Sequence, residues 1–220
     1  MQIAQSLVQV LANNALKEYG GDLAIGAMTI ISSISMIFMM PLFGLNQGSQ
    51  PIIGYNYGAK KYHRVKDAVK IPVIVATLIV SVGWLLIQFA PELLIRAFSS
   101  DESLLAMAKI GLRTFLFMLP VLGFQTISSN YFQSIGQAKV SMFLSLLRQV
   151  ILLIPCLIVL PRVGGLGLMG VWLAGPVADG LASIITGVVF FGSLRKLKED
   201  KVNDCDKEMT SLHQESPLKV

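Results

Sequence analysis

GLNQGSQPIIGYNYGAKKYHRV, from Gly44 to Val65, lies between two strongly apolar segments. It contains Gly44, Gly48, Pro51, Gly54 and Gly58 among amides and tyrosines, and ends in Lys60, Lys61, His63 and Arg64. Glycine and proline let a helix bend, end and turn. The stretch therefore reads as the turn between a second and a third helix. Its basic cluster marks the side of a membrane on which that turn lies. The segments on either side read as membrane-spanning helices.

Composition agrees with a membrane chain. Of its 220 residues, 54% are hydrophobic and only 14% charged, with a mean hydropathy of +0.66. Soluble domains carry about 25% charged residues, so a soluble globular domain is excluded. The net charge of +5 gathers in short loops and the C-terminal segment. That pattern orients helices in a bilayer and does not form a nucleic-acid patch. Cys156 falls in an expected span and Cys205 in the polar tail, and no disulfide is expected. His63 and His213 stand outside any metal-ligand spacing. No G-x-x-x-x-G-K-[ST] run occurs, so no ATP site and no cofactor are implied. No nucleophile–base or metal spacing points to an enzyme. The start, MQIAQSLVQ, lacks a basic region followed by an apolar core and is not read as a signal peptide.

Hydropathy and punctuation predict six spans in an all-α integral membrane bundle. The first runs from Met1 to about Leu16. It carries Gln2, Gln5, Gln9 and Asn13 on one face, which lipid cannot satisfy. A turn over Lys17–Asp22 follows, then a second helix from about Leu23 to Gln50 that Pro41 is expected to kink. The third runs from about Ile71 to Pro91. The fourth begins near Ser103, holds Arg113 and a kinking Pro120, and ends in the polar run Gln125, Ser128, Ser129, Asn130 and Gln133. The fifth, about Val140 to Leu160, contains Arg148 and Pro155. The sixth, about Leu168 to Leu194, contains Pro176 and Asp179. Residues 1–195 form the membrane bundle and 196–220 read as a disordered cytoplasmic tail.

Six spans place both termini on one side. Lys60, Lys61, Arg64, Lys66, Lys139, Arg195, Lys196 and Lys198 lie there, against Lys17, Arg96 and Arg162 opposite. Eight basic residues against three predicts cytoplasmic termini in the plasma membrane.

The Gly44–Val65 stretch resembles the loop after the second helix of the C-terminal half of multidrug and toxic compound extrusion (MATE) transporters. Gly48, Gln50, Pro51, Gly54, Tyr55, Asn56 and Gly58 carry that likeness. Asn13-Asn14 with Gly20-Gly21, Phe132-Gln133-Ser134-Ile135-Gly136, Leu147-Arg148-Gln149 with Pro155, and Gly170-Val171-Trp172 with Pro176 and Asp179 support it. The resemblance spans roughly residues 1–195. It implies one lobe of a twelve-helix transporter, N-terminally truncated so that Met1 falls within the seventh helix. It further implies efflux of drugs or organic cations by proton- or sodium-coupled antiport, and an N-terminal six-helix half as partner. Two rival readings stay open: a lipid-linked saccharide flippase of related fold, and a non-transporting partner or remnant.

Candidate sites follow from where polar groups enter the bilayer. A carboxylate at bilayer depth costs about 2.5–3.5 kcal/mol on insertion scales and is commonly kept for an ion pathway. Asp179 is therefore the candidate ion-coupling residue. The competing reading is a structural pair with Arg113 or Arg148. Arg148 also has a stem long enough to snorkel to the interface. Gln5, Gln9, Asn13, Gln125, Ser129 and Gln133 are candidate cavity-lining residues, against a role as inter-helix hydrogen bonds. Met36 is a candidate adaptable contact, against plain lipid or core packing. Carboxylates that some family members carry on the first and fourth helices of this half have no match here, where the first helix has amides and the fourth has Asp101 and Glu102 at its outer mouth.

Overall fold

The computed structural model describes residues 2–214, with side chains described for residues 3–195 apart from position 164. It is a bundle of six membrane-length passes. The first two lie in α1, Gln2–Gly58, whose two limbs meet at Gly21 with φ 64° and ψ −162°. That backbone conformation is essentially restricted to glycine. The expected turn over Lys17–Asp22 is thus narrowed to one residue, and Lys17 and Glu18 remain helical.

The Gly44–Val65 stretch departs from its expected role as a turn. The second limb of α1 continues through Gly44, Gly48, Pro51 and Gly54 to Gly58. In lipid an unpaired backbone group costs several kcal/mol, so helix persists through glycines that would fray in water. The reversal is confined to residues 59–61. Lys61 N–H donates to the Asn56 carbonyl and Lys60 N–H to that of Tyr57, with Lys60 at φ 55°. This is a Schellman closure with lysine in the left-handed position.

The third pass, α2, Tyr62–Phe89, starts well before the expected Ile71. Val65, Val69, Pro72, Ala76, Val80, Gly83 and Ile87 form one continuous buried stripe, which explains the early start. A short α3, Pro91–Arg96, leads to the fourth pass. That pass is α4, Glu102–Phe115, and α5, Leu119–Ser134, bent by 50°. Pro120 sits in the first turn of α5, where its missing N–H is harmless, so the chain bends just before it. Asp101 caps α4, accepting from Ser103 N–H at 2.9 Å, Leu104 N–H at 3.4 Å and the Ser103 hydroxyl at 2.5 Å. The Ser103 hydroxyl, then the two amides, hold its carboxyl below the usual carboxylate range.

The fifth pass comprises α6, Ala138–Leu146, a π-helical segment over Leu147–Leu153, and α7, Ile154–Val159. Pro155 has no N–H to donate to the preceding turn, and a wider winding just ahead of it accommodates the loss. The sixth is α8, Leu168–Gln214. Its backbone stays helical beyond Arg195 into the segment expected to be disordered. No glycine or proline interrupts residues 195–214, which accounts for the continuation. Residues 215–220 lie outside the described residues.

Three apolar clusters among the described residues hold the passes together; the smallest joins Leu16 and Ala24 of α1 with Leu157 of α7 and Trp172 of α8, and the other two span the rest of the bundle. One joins Ile31 and Ile34 of α1 with Val80 of α2, Leu112 of α4 and Ile127 of α5. The other joins Ile53 with Val65, Tyr131, Phe132 and Phe190. The residue 59–61 and 135–137 turns share one end, where a Cβ on Gly54 would lie 3.2 Å from the Ser134 carbonyl. The Gly21 break and the α7–α8 connection share the other, with Gly20 against Leu168.

Gly136 closes α5 as Gly58 and its neighbours close α1. Gln137 N–H donates to the Phe132 carbonyl and Gly136 lies at φ 79° with open space around it. Gly136→Ala is expected to cost about 1–2 kcal/mol from the left-handed conformation alone, read as a lowered unfolding midpoint in detergent. An unchanged midpoint would show that the turn relaxes to another closure.

Candidate functional site

Asp179 lies on α8 one turn after Pro176, only 7% exposed. The residue packed against it is Arg148, in the first turn of the π-helical segment. Arg148 Nε donates to Asp179 Oδ1 at 2.5 Å. The two side chains differ in exposure, 36% for Arg148 and 10% for Asp179. The carboxylate is thus inside the bundle while the guanidinium stem reaches toward its edge. Of the two partners weighed for Asp179, the structure brings up Arg148.

Arg113 is engaged elsewhere. Its Nη2 donates to the Gln88 carbonyl at 2.7 Å, and Gln88 Nε2 donates back to the Arg113 carbonyl at 3.2 Å. This reciprocal pair ties α2 to α4. Near the same end, Lys109 Nζ meets Glu92 Oε1 at 2.5 Å. The Glu92 carboxyl is held below its ordinary value chiefly by the Lys109 hydrogen bond and charge.

The other candidates separate. Gln5, Gln9 and Asn13 are exposed on the first limb of α1, with Gln9 Nε2 reaching Asn13 Oδ1 at 3.5 Å. Gln2 lies outside the described side chains. Met36 is exposed among Ile37, Met40 and Phe43. Along α5, Gln125 is buried, Ser129 half-buried and Gln133 exposed. Asn130 Nδ2 donates to the Asn46 carbonyl at 3.0 Å, tying α5 to α1. Of the motif positions, Gly48 lines an open apolar groove of about 710 Å³ with Pro41, Gly44, Ile52, Ile71 and Pro72. Gln50 is half-buried, Tyr55 and Pro51 are exposed, and Asn56 bonds back to the Ile52 carbonyl at 2.8 Å. None of the cavity-lining candidates lines that groove.

Several buried polar atoms stand unpartnered among the described residues, and of their residues Thr186 was missed by sequence reasoning. Ser128 Oγ, Thr186 Oγ1, Gln149 Oε1 and Gln125 Oε1 have no hydrogen-bond partner among the described residues.

A family model described as MatE matches residues 1–158. The chain belongs to the MatE family. Multidrug export protein MepA of Staphylococcus haemolyticus (strain JCSC1435) is 23% identical over 203 residues, 92% of this MatE chain and 44% of that protein. MepA of Staphylococcus saprophyticus is 24% identical over 201 residues, again 44% of its length. A crystal structure of MATE in the bent conformation superposes with a TM-score of 0.85 at 20% identity, over 91% of this chain and 44% of that one. The MATE multidrug transporter DinF-BH, solved as a complex, superposes at 0.74 with 36% identity, over 86% of this chain and 42% of that one. This MatE chain therefore spans a little under half the length of the relatives it matches. Its fold is the six-helix half, and the family is one of multi-pass membrane transporters and not of enzymes.

Proposed function

We propose that the chain serves as the second lobe of an ion-coupled multidrug exporter, paired with an N-terminal six-helix half. The observation that carries this is the Arg148–Asp179 pair, a carboxylate held inside a bundle whose relatives are named multidrug export proteins. Proton or sodium is the coupling ion, and drugs or organic cations are the substrate class. The plasma membrane, with both termini cytoplasmic, is the expected location. An ion bound at Asp179 loosens Arg148. Because α8 and the π-helical segment are joined there, the ion biases one of two lobe arrangements. A ligand shifts such an equilibrium only through differing affinity for the two states.

The test is efflux of a fluorescent cationic dye from cells carrying this chain joined to an N-terminal lobe. Asp179→Asn is expected to abolish efflux at normal membrane expression. Equal efflux by the variant would remove Asp179 from the coupling path. The flippase reading requires free guanidinium groups for pyrophosphate, and both intramembrane arginines are engaged. A joined protein that is inserted but inert would favour the non-transporting reading.

A further inference from the structure

We propose that the apolar groove between the second limb of α1 and α2 seats an acyl chain of an anionic phospholipid, with the headgroup on Lys61 and Arg64. The first observation is length. The two helices run antiparallel away from the residue 59–61 turn. The lining starts near that turn at Ile52 and Ala68 and ends at Pro41 and Ile79. Each wall is eleven residues of helix from first to last, a rise of about 16 Å. Half of the bilayer's roughly 30 Å hydrocarbon core is about 15 Å. The groove therefore follows one leaflet from its headgroup edge to the bilayer centre.

The second observation is the lining. Gly44 and Gly48 lie one turn apart, and a Cβ on either would meet no heavy atom within 4 Å. The missing side chains leave a hollow of about 710 Å³ that is open along its length. Ser49 is the one polar residue among those lining it, and it is buried with its hydroxyl donating to the Asn46 carbonyl at 3.2 Å. The lining thus holds no spare donor, and what fills it is hydrocarbon.

The third observation is the charge at the mouth. Arg64 lies one turn before Ala68 and two before Ile71, so it extends the lining stripe of α2 beyond the groove. Lys61 precedes it by one turn. Both are exposed, and neither has an ion-pair partner among the described residues. Between positions 59 and 70, Lys60, Lys61, Arg64, Lys66 and Lys70 stand against one carboxylate, Asp67, which meets His63 Nδ1 at 3.1 Å. On α1, Tyr55 follows Ile52 by one turn and is 75% exposed. Tyrosine rings gather at headgroup level, which sets the depth of the mouth. Basic residues at the end of a span attract anionic headgroups, roughly fivefold in affinity for each cation. This charge decides among occupants. A neutral lipid or an apolar helix in the groove leaves the cations without a counter-charge, whereas an anionic phospholipid satisfies the groove and its mouth together.

The experiment is native mass spectrometry of the purified 220-residue chain, released from micelles doped with equal amounts of palmitoyl-oleoyl phosphatidylglycerol and phosphatidylcholine. The phosphatidylglycerol adduct is expected to exceed the phosphatidylcholine adduct at least fivefold. Lys61→Gln with Arg64→Gln is expected to bring the two to parity. Gly44→Leu with Gly48→Leu fills the groove from positions with open space around them, and is expected to cut the phosphatidylglycerol adduct at least threefold. Gly192→Leu, equally open but on α8, leaves it unchanged. Parity in the parent chain, or an adduct that survives the two leucines, overturns the proposal. A dimer that the leucines disperse, with no lipid retained, also overturns it and assigns the groove to a second copy. None of these residues belongs to the Arg148–Asp179 pair, so the result stands apart from the coupling role proposed for Asp179.

Discussion

Arg148→Met is expected to lower the unfolding midpoint of the chain more than any other single change at the candidate site. The substitution keeps the apolar stem and removes the guanidinium, leaving the Asp179 carboxylate 7% exposed with no counter-charge. Removing one member of a buried pair typically costs about 3–5 kcal/mol. Arg148 is about a third exposed, so the lower end, about 3 kcal/mol, is the expectation here. Asp179→Asn costs less, because the freed guanidinium can turn along its stem to the bundle edge. The double variant Arg148→Met/Asp179→Asn leaves no unpaired charge and is expected to recover most of the Arg148→Met loss. Thermal unfolding in detergent ranks the three proteins. If Arg148→Met proves no worse than Asp179→Asn, water reaches the carboxylate well enough to replace its partner. Such a result would make the pair a poor candidate for holding two lobe states apart.

Gly170→Ala is the second large effect, and its cause is steric. Gly170 opens α8 against the end of the fifth pass, where an added Cβ would lie 2.6 Å from Pro161 N and 2.7 Å from the Leu160 carbonyl carbon and oxygen. These are backbone atoms and cannot rotate aside. Overpacking of this kind costs about 1–3 kcal/mol, and the lack of a movable neighbour places this site at the upper end. Alanine regains about 1 kcal/mol of helix propensity over glycine, too little to offset the clash. Gly192→Ala is the matched control, since it lies in the same helix with nothing within 4 Å. The expected outcome is a clear fall in midpoint for Gly170→Ala and none for Gly192→Ala. Equal midpoints would mean that α8 shifts bodily away from the Leu160–Pro161 corner.

The two predictions concern contacts of different legibility. Asp179 was legible as a buried charge because hydropathy places it inside an apolar run, and lipid makes any such charge expensive. Its partner was not. Arg113 and Arg148 both lie in apolar segments, and composition does not distinguish them. Only the packing does: the π-helical winding carries Arg148 to α8, while Gln88 binds Arg113. Gly170 showed itself only as part of a family-like Gly-Val-Trp run, and nothing in that run reveals a backbone that an added Cβ would meet at 2.6 Å.

The sequence carries the number and order of the membrane passes and the positions of most turns. These follow from the length of apolar runs and from glycine and proline placement, which are local properties. It erred where local signals compete with the solvent. Gly44, Gly48, Pro51 and Gly54 look like a turn by water-based rules, yet the helix runs through them because lipid offers the backbone no other partner. Which polar groups bond to which is set by the packing of the passes. Arg113 and Arg148 are alike in the sequence, and they part only when the fold sets one against the Gln88 carbonyl and the other against the Asp179 carboxylate.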